Sequence, residues 1–579
     1  MIEQLPPGMI LFLGALLIPL LRGRVLQAYT LLLPVLGFLH VWALPPGHTS
    51  TLAFFSYELE LIRVDRLSKL FGYIFHIAAF LGFVYALHLA RGKKGLQQEE
   101  SGARVQHLAA MTYAGSAIAG VFAGDLICLF IFWELTAITS VVLIWARQTE
   151  RSLRAGMRYL YIQIGSGVLL LAGSTLHYAQ TGSIAFDHLG LGSAGTTLIF
   201  LAFGIKAAFP FLHNWLQDTY PESTVTGIIF LSSFTTKLAI YALARGFAGT
   251  EILIPIGAAM AAFPIFFAVI ENDLRRVLAY SLNNQLGFMV VGIGIGTELS
   301  VNGACAHACA DILFKSLLFM SMGAVLLQTK TINGSELGGL YKYMPLTTIF
   351  CIVGASSISA FPLFSGFATK SLIMSATAEG GYTAAFLVLL FASAGVFHHA
   401  GIKIPFFAFF AHDSGIGKKM GVKEAPLNML IAMGATAFLC LAIGMRPRVL
   451  YDFLPYPVDY EPYNTTHVVT QLQLLFYSAL AFSILKKTGI YPPELRSVNI
   501  DTDWIYRKAA PWLVARIALR GGKTLLLLKE TFLHIYRDVL TATAHYNRPH
   551  GLMGEPWLTG KSALWAALLL AAYVILNFL

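Results

Sequence analysis

Apolar runs of about 20 residues recur from one end of this chain to the other, the length needed to cross roughly 30 Å of hydrocarbon as a helix. Only 12% of the 579 residues are charged, about half the share usual in soluble domains. The pattern predicts an all-α polytopic membrane protein. Sixteen spans are expected, near 9–21, 26–44, 69–90, 107–123, 125–145, 156–179, 196–216, 223–246, 252–270, 277–296, 301–328, 347–378, 383–411, 428–446, 467–486 and 561–579. Met1–Pro7 is acidic and proline-rich, so no cleavable signal peptide is expected.

The net charge of +10 does not point to nucleic acid, because the basic residues cluster in the loops. Loops on one side carry about 19 Lys and Arg near the membrane, against about 6 on the other. The positive-inside rule then places both termini on the outer side of a bacterial or archaeal cytoplasmic membrane. Cys128, Cys305, Cys309, Cys351 and Cys440 all lie in apolar runs and read as small buried hydrophobes. No spacing fits zinc or an iron–sulfur cluster, and VGIGIG at 291–296 lacks the strand–turn–helix setting of a phosphate loop. No metal and no cofactor is expected.

Charges inside the apolar runs are the functional signal. Lys206, Lys237, Lys315, Lys370 and Lys403 are five of them, and Glu134 is a sixth. Each costs a few kcal/mol in hydrocarbon, roughly 2.5–3.5 on insertion scales. Several such costs kept together point to an ion or proton path. Burial favours the neutral form of an amine and of a carboxylic acid, so groups of both kinds held close can pass a proton. A static Glu134 salt bridge and a Lys237 that snorkels to the interface are the structural alternatives. Asp125 reads as marking the start of its span. His307, Asp311 and Lys315 step by four, which puts all three on one helix face. They read as a proton wire, with a metal site or an intrahelical Asp311–Lys315 pair as rivals. Lys403, with His398 and His399, either continues the path or snorkels to the cytoplasmic interface.

Two spans carry a proline break beside a lysine: GIKAAFPFLHNWLQDTYPES around Lys206 and ISAFPLFSGFATKSLIMS around Lys370. Matching broken spans are the sequence mark of inverted repeats. The expected organisation is 1–106 for three N-terminal helices and 107–250 for the first five-helix repeat. The second repeat is 251–411, followed by 412–490 for two more helices, 491–559 for an amphipathic segment and 560–579 for a last span. From Asp501 to about Asn547 basic and apolar residues interleave, as in a helix lying at the membrane interface. Gly521 and Gly522 are expected to kink or break it, and the turn-rich NRPHGLMGEP follows. Simple membrane adhesion and a strap along a partner subunit are both open.

These residues fall in motifs that resemble the antiporter-like subunits of respiratory complex I, membrane-bound hydrogenases and multisubunit Mrp sodium/proton antiporters. The motifs are RVDRLSKLF at 63–71, FWELTAITS at 132–140, GIKAAFPF at 204–211, WLQDTYPES at 215–223 and TTKLAIYALARGF at 235–247. They continue with DLRRVLAYSLNNQLGFM at 273–289, DILFKSLLF at 311–319, GGLYKYMP at 338–345 and FPLFSGFATKS at 361–371. The resemblance implies a fourteen-helix core with two inverted five-helix repeats and broken helices seven and twelve. It gives Glu134 the place of the family's glutamate of the fifth span, and Lys206 that of its partner lysine on the broken seventh. Lys237 takes the place of the eighth-span lysine, His307 and Lys315 those of the central relay, and Lys370 that of the charged residue of the broken twelfth span. The family often has histidine where this chain has Asp311, and proline where it has Gln217. IDTDWIYRK at 500–508 and the long tail resemble the lateral-helix extension of terminal pump subunits.

The implied function is proton translocation, as cation/proton antiport in an Mrp-type complex. The alternatives are a redox-driven pump subunit and the membrane subunit of an inorganic-carbon uptake complex. The implied partners are other hydrophobic subunits, the bilayer, protons and a candidate sodium ion, with no nucleic acid. Redox chemistry would belong to partner chains, so the chain is not expected to be an enzyme on its own.

Overall fold

The computed structural model describes residues 4–55, 57–91, 102–492, 495, 499, 501–546 and 559–578. They fall into two compact units, residues 1–499 and 500–579. In the first, α1 (Met9–Ala15), α2 (Gly23–Ala43) and α3 (Arg66–Ala86) come before α4 (Ala103–Phe122), α5 (Leu126–Trp145) and α6 (Glu150–Thr181). A broken stretch follows: α7 (Ala194–Lys206), α8 (Asn214–Thr219), α9 (Gly227–Ser233) and α10 (Thr235–Gly246). Next come α11 (Leu253–Ile270), α12 (Leu274–Ile295), α13 (Glu298–Thr329), α14 (Pro345–Ile358), α15 (Ser365–Glu379) and α16 (Thr383–Val396). Short π-helical turns at 397–402 and 406–410 flank α17 (Lys403–Pro405). The unit closes with α18 (Ile416–Lys419), α19 (Leu427–Met445), α20 (Arg448–Tyr451) and α21 (Thr465–Lys487).

Every expected span coincides with a helix or a broken helix pair. Among the described residues, eleven helices are long and apolar enough to cross a membrane, and the remaining apolar ones are shorter or interrupted. An element the sequence reading missed is a hairpin before α3. It pairs β1 (Thr49–Phe54) antiparallel with β2 (Tyr57–Arg63). The alternation in YELELIR was its available signal.

The two central halves repeat in detail. Asp125 caps α5 by accepting from the backbone N–H groups of Ile127 and Cys128, and Asp273 caps α12 through Arg275 and Arg276. Each cap residue forms an isolated antiparallel bridge, to Ala185 and to Asn333. The helices α6 and α13 each run 32 residues and end on a residue with positive φ, Gly182 and Lys330. The breaks also match. Ala208 and Phe211 have positive φ in Ala-Phe-Pro-Phe, and so do Ala360 and Leu363 in Ala-Phe-Pro-Leu.

The second unit corrects one expectation. After a π-helical turn at Ile505–Ala509, α22 (Ala510–Tyr546) runs on without interruption through Gly521 and Gly522. At 37 residues it is about 55 Å long, from a rise of 1.5 Å per residue. Two glycines cost a helix about 1 kcal/mol each, too little to end one of this length. Trp512, Leu513, Val514 and Ile517 are exposed along it, with Arg516 over the Trp512 ring at 4.5 Å. NRPHGLMGEP lies outside the described residues, and α23 (Thr559–Phe578) is the last helix.

Candidate functional site

The first cluster forms where α5, α6 and α7 meet. On α5, the Trp133 indole donates to Ser166 Oγ at 2.9 Å, and Ser166 Oγ donates to the Ala202 carbonyl at 2.8 Å. These two bonds tie three helices together. Glu134 lies against Gly167 of α6, where an added Cβ would sit 1.4 Å from Oε1. Glycine is required there for the carboxylate to fit. Oε1 is buried with no hydrogen-bond partner among the described residues.

Lys206 is the last residue of α7, where a cation suits the negative end of the helix. It is fully buried. Its Nζ donates to the Trp133 carbonyl at 2.5 Å and to Thr136 Oγ1 at 2.8 Å, and lies 4.4 Å from the Trp133 ring centroid. The ammonium therefore grips α5 one residue before and two after Glu134, and no ion pair joins it to the carboxylate. The break leaves carbonyls free, and the Trp215 indole satisfies that of Ile205 at 2.9 Å.

The second cluster holds a closed ion pair. The chain breaks at Phe234, between α9 and α10, and Lys237 donates back across the break to the Ser232 carbonyl at 2.9 Å. Its Nζ lies 2.6 Å from Asp311 Oδ2, with both side chains fully buried. Asp311 Oδ1 has no hydrogen-bond partner among the described residues. The aspartate thus pairs across helices with Lys237, and the intrahelical Asp311–Lys315 pair is not formed. One turn before, His307 bridges Thr369 Oγ1 at 3.0 Å through Nδ1 and Gln285 Oε1 at 3.1 Å through Nε2. Gln285 donates to Asn284 Oδ1 at 2.6 Å. One turn after, Lys315 donates to the Leu278 carbonyl at 3.3 Å. The shared face of α13 therefore meets α10, α12 and α15.

In the second half, Lys370 lies on the far side of its break. It donates to the Ile358 carbonyl at 3.2 Å, closing the end of α14, and sits 4.7 Å from the Phe288 ring centroid. With His467 and Gln471 it lines a cavity of about 80 Å³. Lys403 is fully buried, which corrects the snorkelling alternative. Its Nζ reaches the carbonyls of Ala268, Val269 and Glu271 at 3.2, 2.6 and 2.7 Å, the frayed end of α11. His399 is fully buried within the first π-turn, and the His398 ring meets Phe482 and Tyr491 edge-on. Such π-turns occur often at functional sites.

No group of three or more His, Cys, Asp or Glu residues that could hold a metal forms among the described residues. What does form is a series of buried amines, carboxylates, imidazoles and amides on matching helices. Burial brings the two protonation states of an amine or a carboxylate closer in energy near neutral pH.

A family described as NADH:quinone oxidoreductase/Mrp antiporter, TM, matches residues 123–403, which include all eight candidate residues. Component B of hydrogenase-4 from Escherichia coli is 26% identical over 435 residues, 67% of this chain and 64% of that protein. A Na(+)/H(+) antiporter subunit from Alkalihalophilus pseudofirmus is 28% identical over 352 residues, 57% of this chain and 70% of that protein. The Mrp complex from Dietzia sp. contains a chain that superposes with a TM-score of 0.68 at 19% identity, covering 81% of this chain and 99% of that one.

The family match takes in just under half of the chain, and with these relatives it makes the chain similar to antiporter-like subunits. A chain of respiratory complex I from Thermus thermophilus shares the fold too, with a TM-score of 0.62 at 22% identity over 77% of this chain and 98% of its own. The chain spans just under two thirds of the hydrogenase component it matches.

Several residues of the cluster were not singled out by sequence reasoning. Gln285, Thr369 and Asn284 are uncharged, and only their partners mark them. Arg275 is buried and holds the carbonyls of Ser223 and Thr224 at 3.1 and 3.2 Å, tying α12 of the second half to the first. An arginine two residues after the Asp273 cap, at the start of an apolar run, was its available signal.

Proposed function

We propose that this protein is a proton-translocating subunit of a multisubunit complex in the cytoplasmic membrane, with both termini outside, and that it serves Mrp-type sodium/proton antiport. The observation that carries the reading is the buried Lys237–Asp311 pair at 2.6 Å. It lies between a Glu134–Lys206 site with its ion pair open and a His307–Lys370 site, so that a pair can close or open at each step. In the proposed cycle, closure of Glu134 on Lys206 alternates with transfer through Lys237, Asp311, His307 and Lys315 to Lys370, with Lys403 and His399 leading on to the cytoplasm. Residues 107–250 and 251–411 are the two repeats that supply the half-paths, and 491–559 is the lateral strap toward partner subunits.

The test is sodium-driven acidification or alkalinisation in inverted vesicles that hold the assembled complex. Lys206→Ala should abolish the pH gradient while assembly stays normal. A normal gradient in an assembled Lys206→Ala complex would end this reading. A second reading is supported by the longer match to component B of hydrogenase-4, which takes in 67% of this chain against 57% for the antiporter protein. In that case proton release would follow electron transfer in partner chains and would not need sodium.

A further inference from the structure

The direct contacts described above leave Lys206 and Lys237 unconnected. Between them lies a buried polar face that the charge series does not include. The register of α5 against α6 is fixed at three points: Trp133 bonds Ser166, Glu134 lies on Gly167, and Ser140 Oγ lies 2.8 Å from the Tyr159 hydroxyl. From the first of these points to the third, numbers rise on α5 as they fall on α6, so the helices are antiparallel and Gln163 stands level with Thr136. Thr136 is the residue that accepts from Lys206.

Gln163 is fully buried, and neither its amide oxygen nor its nitrogen finds a partner among the described residues. Leaving a buried amide unpaired is costly, and a bridging water is the usual remedy. One turn along α6, Tyr159 meets Ser140 and approaches Thr235. Thr235 Oγ1 is 2.5 Å from the Tyr113 hydroxyl, and Tyr220 approaches the same side chain. Thr235 opens α10, the helix that carries Lys237 two residues on. Ser140, Tyr159, Tyr113, Tyr220 and Thr235 are all buried. Buried polar side chains are costly unless hydrogen-bonded, and these hydroxyls bond one another or a backbone carbonyl.

We propose that Gln163, Tyr159, Ser140 and Thr235 form an uncharged bridge that passes protons between Lys206 and Lys237. Gln163 is a positioning residue. Its amide holds one water between Thr136 and Tyr159, donating with the nitrogen and accepting with the oxygen. Each hydroxyl takes a proton on its oxygen and releases its own to the next, so one proton moves and no other bond changes. The bridge rests on the transport reading above.

The experiment compares Tyr159→Phe, Gln163→Leu, Thr235→Val and Thr235→Ser with Lys206→Ala, in the assembled complex and in vesicles. Tyr159→Phe, Gln163→Leu and Thr235→Val should slow transport by about tenfold or more, the scale of losing a proton-transfer group. Thr235→Ser keeps the hydroxyl and should retain most of the rate. The solvent deuterium isotope effect should rise in Tyr159→Phe, which a purely structural role would not produce. Ser140→Ala replaces Tyr159→Phe if that variant fails to assemble. Wild-type rates in Tyr159→Phe and Gln163→Leu, with Lys206→Ala inactive, overturn the bridge and leave the transport reading intact. An active Lys206→Ala overturns the transport reading itself.

Discussion

The Lys237–Asp311 pair gives the most demanding prediction. Two unit charges 2.6 Å apart attract by about 6 kcal/mol at an effective dielectric near 20. Removing both from water costs several kcal/mol per ion, so the net worth of the pair is small. Removing one partner is different, because the other is left buried and unpaired. Asp311→Leu and Lys237→Met should therefore each destabilise the protein by about 3–5 kcal/mol, while the double variant should lie within about 1 kcal/mol of wild type or above it. The five cysteines are free and buried, so they provide a built-in probe. Their reaction with a thiol dye, followed as a denaturing detergent is raised, reports unfolding. Small single effects that simply add in the double variant would refute the coupling. The same variants separate strut from relay. A stable double variant that transports at the wild-type rate would show that the pair only holds helices together.

Three more predictions follow from the same geometry. Gly167→Ala should fold but lose most transport, because the new methyl would take the place of Glu134 Oε1; crosslinked assembly and vesicle pH gradients read the two effects separately. Lys403→Met should destabilise the second half by about 1–3 kcal/mol, the cost of leaving buried carbonyls at the end of α11 without their donor, and cysteine labelling at Cys351 and Cys440 should detect it. Asp65 lies just before α3, outside the spans. Burial pushes its carboxyl up, but Arg245 and the Ser68 backbone and hydroxyl outweigh that and hold it below the usual carboxylate range. Its contribution to stability is therefore present above the unfolded value of about 3.9 and is lost as pH falls through the lower folded value. In Asp65→Asn that acid-dependent loss should vanish from melting curves taken as a function of pH.

The fold was legible because hydrocarbon imposes length. A run of apolar residues cannot hide in a bilayer protein, and each of the sixteen expected spans meets a helix. The breaks were legible because proline marks them, though only the backbone reveals that Ala208 and Phe211 share their conformation with Ala360 and Leu363. Charged site residues stood out against apolar surroundings. Their partners did not. Whether Asp311 would meet Lys315 four residues away or Lys237 on another helix depends on how α10 packs on α13, and no spacing within one helix encodes that. The hairpin at 49–63 was missed because it is short and flanked by loops rich in turn formers. Gly521 and Gly522 misled because their local cost was weighed without the 37-residue helix around them.

The repeat also shows where the two halves diverge. Aligning the breaks on Ala208 and Ala360 puts Lys206 level with Ile358, so the lysines of the two broken helices are not counterparts. Lys206 ends the helix before its break, and Lys370 lies in the helix after. Yet Lys370 reaches back to the Ile358 carbonyl, which brings an ammonium to the end of α14 much as Lys206 brings one to the end of α7. The same charge is delivered to equivalent helix ends from opposite sides of the break. A cation at a helix C-terminus is favoured by the unpaired carbonyls there, so the shared requirement is for the charge at that end, and the residue that supplies it was free to move. In the proposed cycle the first half needs Glu134 nearby to draw Lys206 off its carbonyl. In the second half Leu282 stands where the α5–α12 alignment would place that glutamate, and Lys370 has no carboxylate on α12 to answer it. The acid nearest in the series is Asp311 on α13, already held by Lys237. In the proposed cycle Lys237 and Lys370 would compete for this one carboxylate, and that competition would couple the halves.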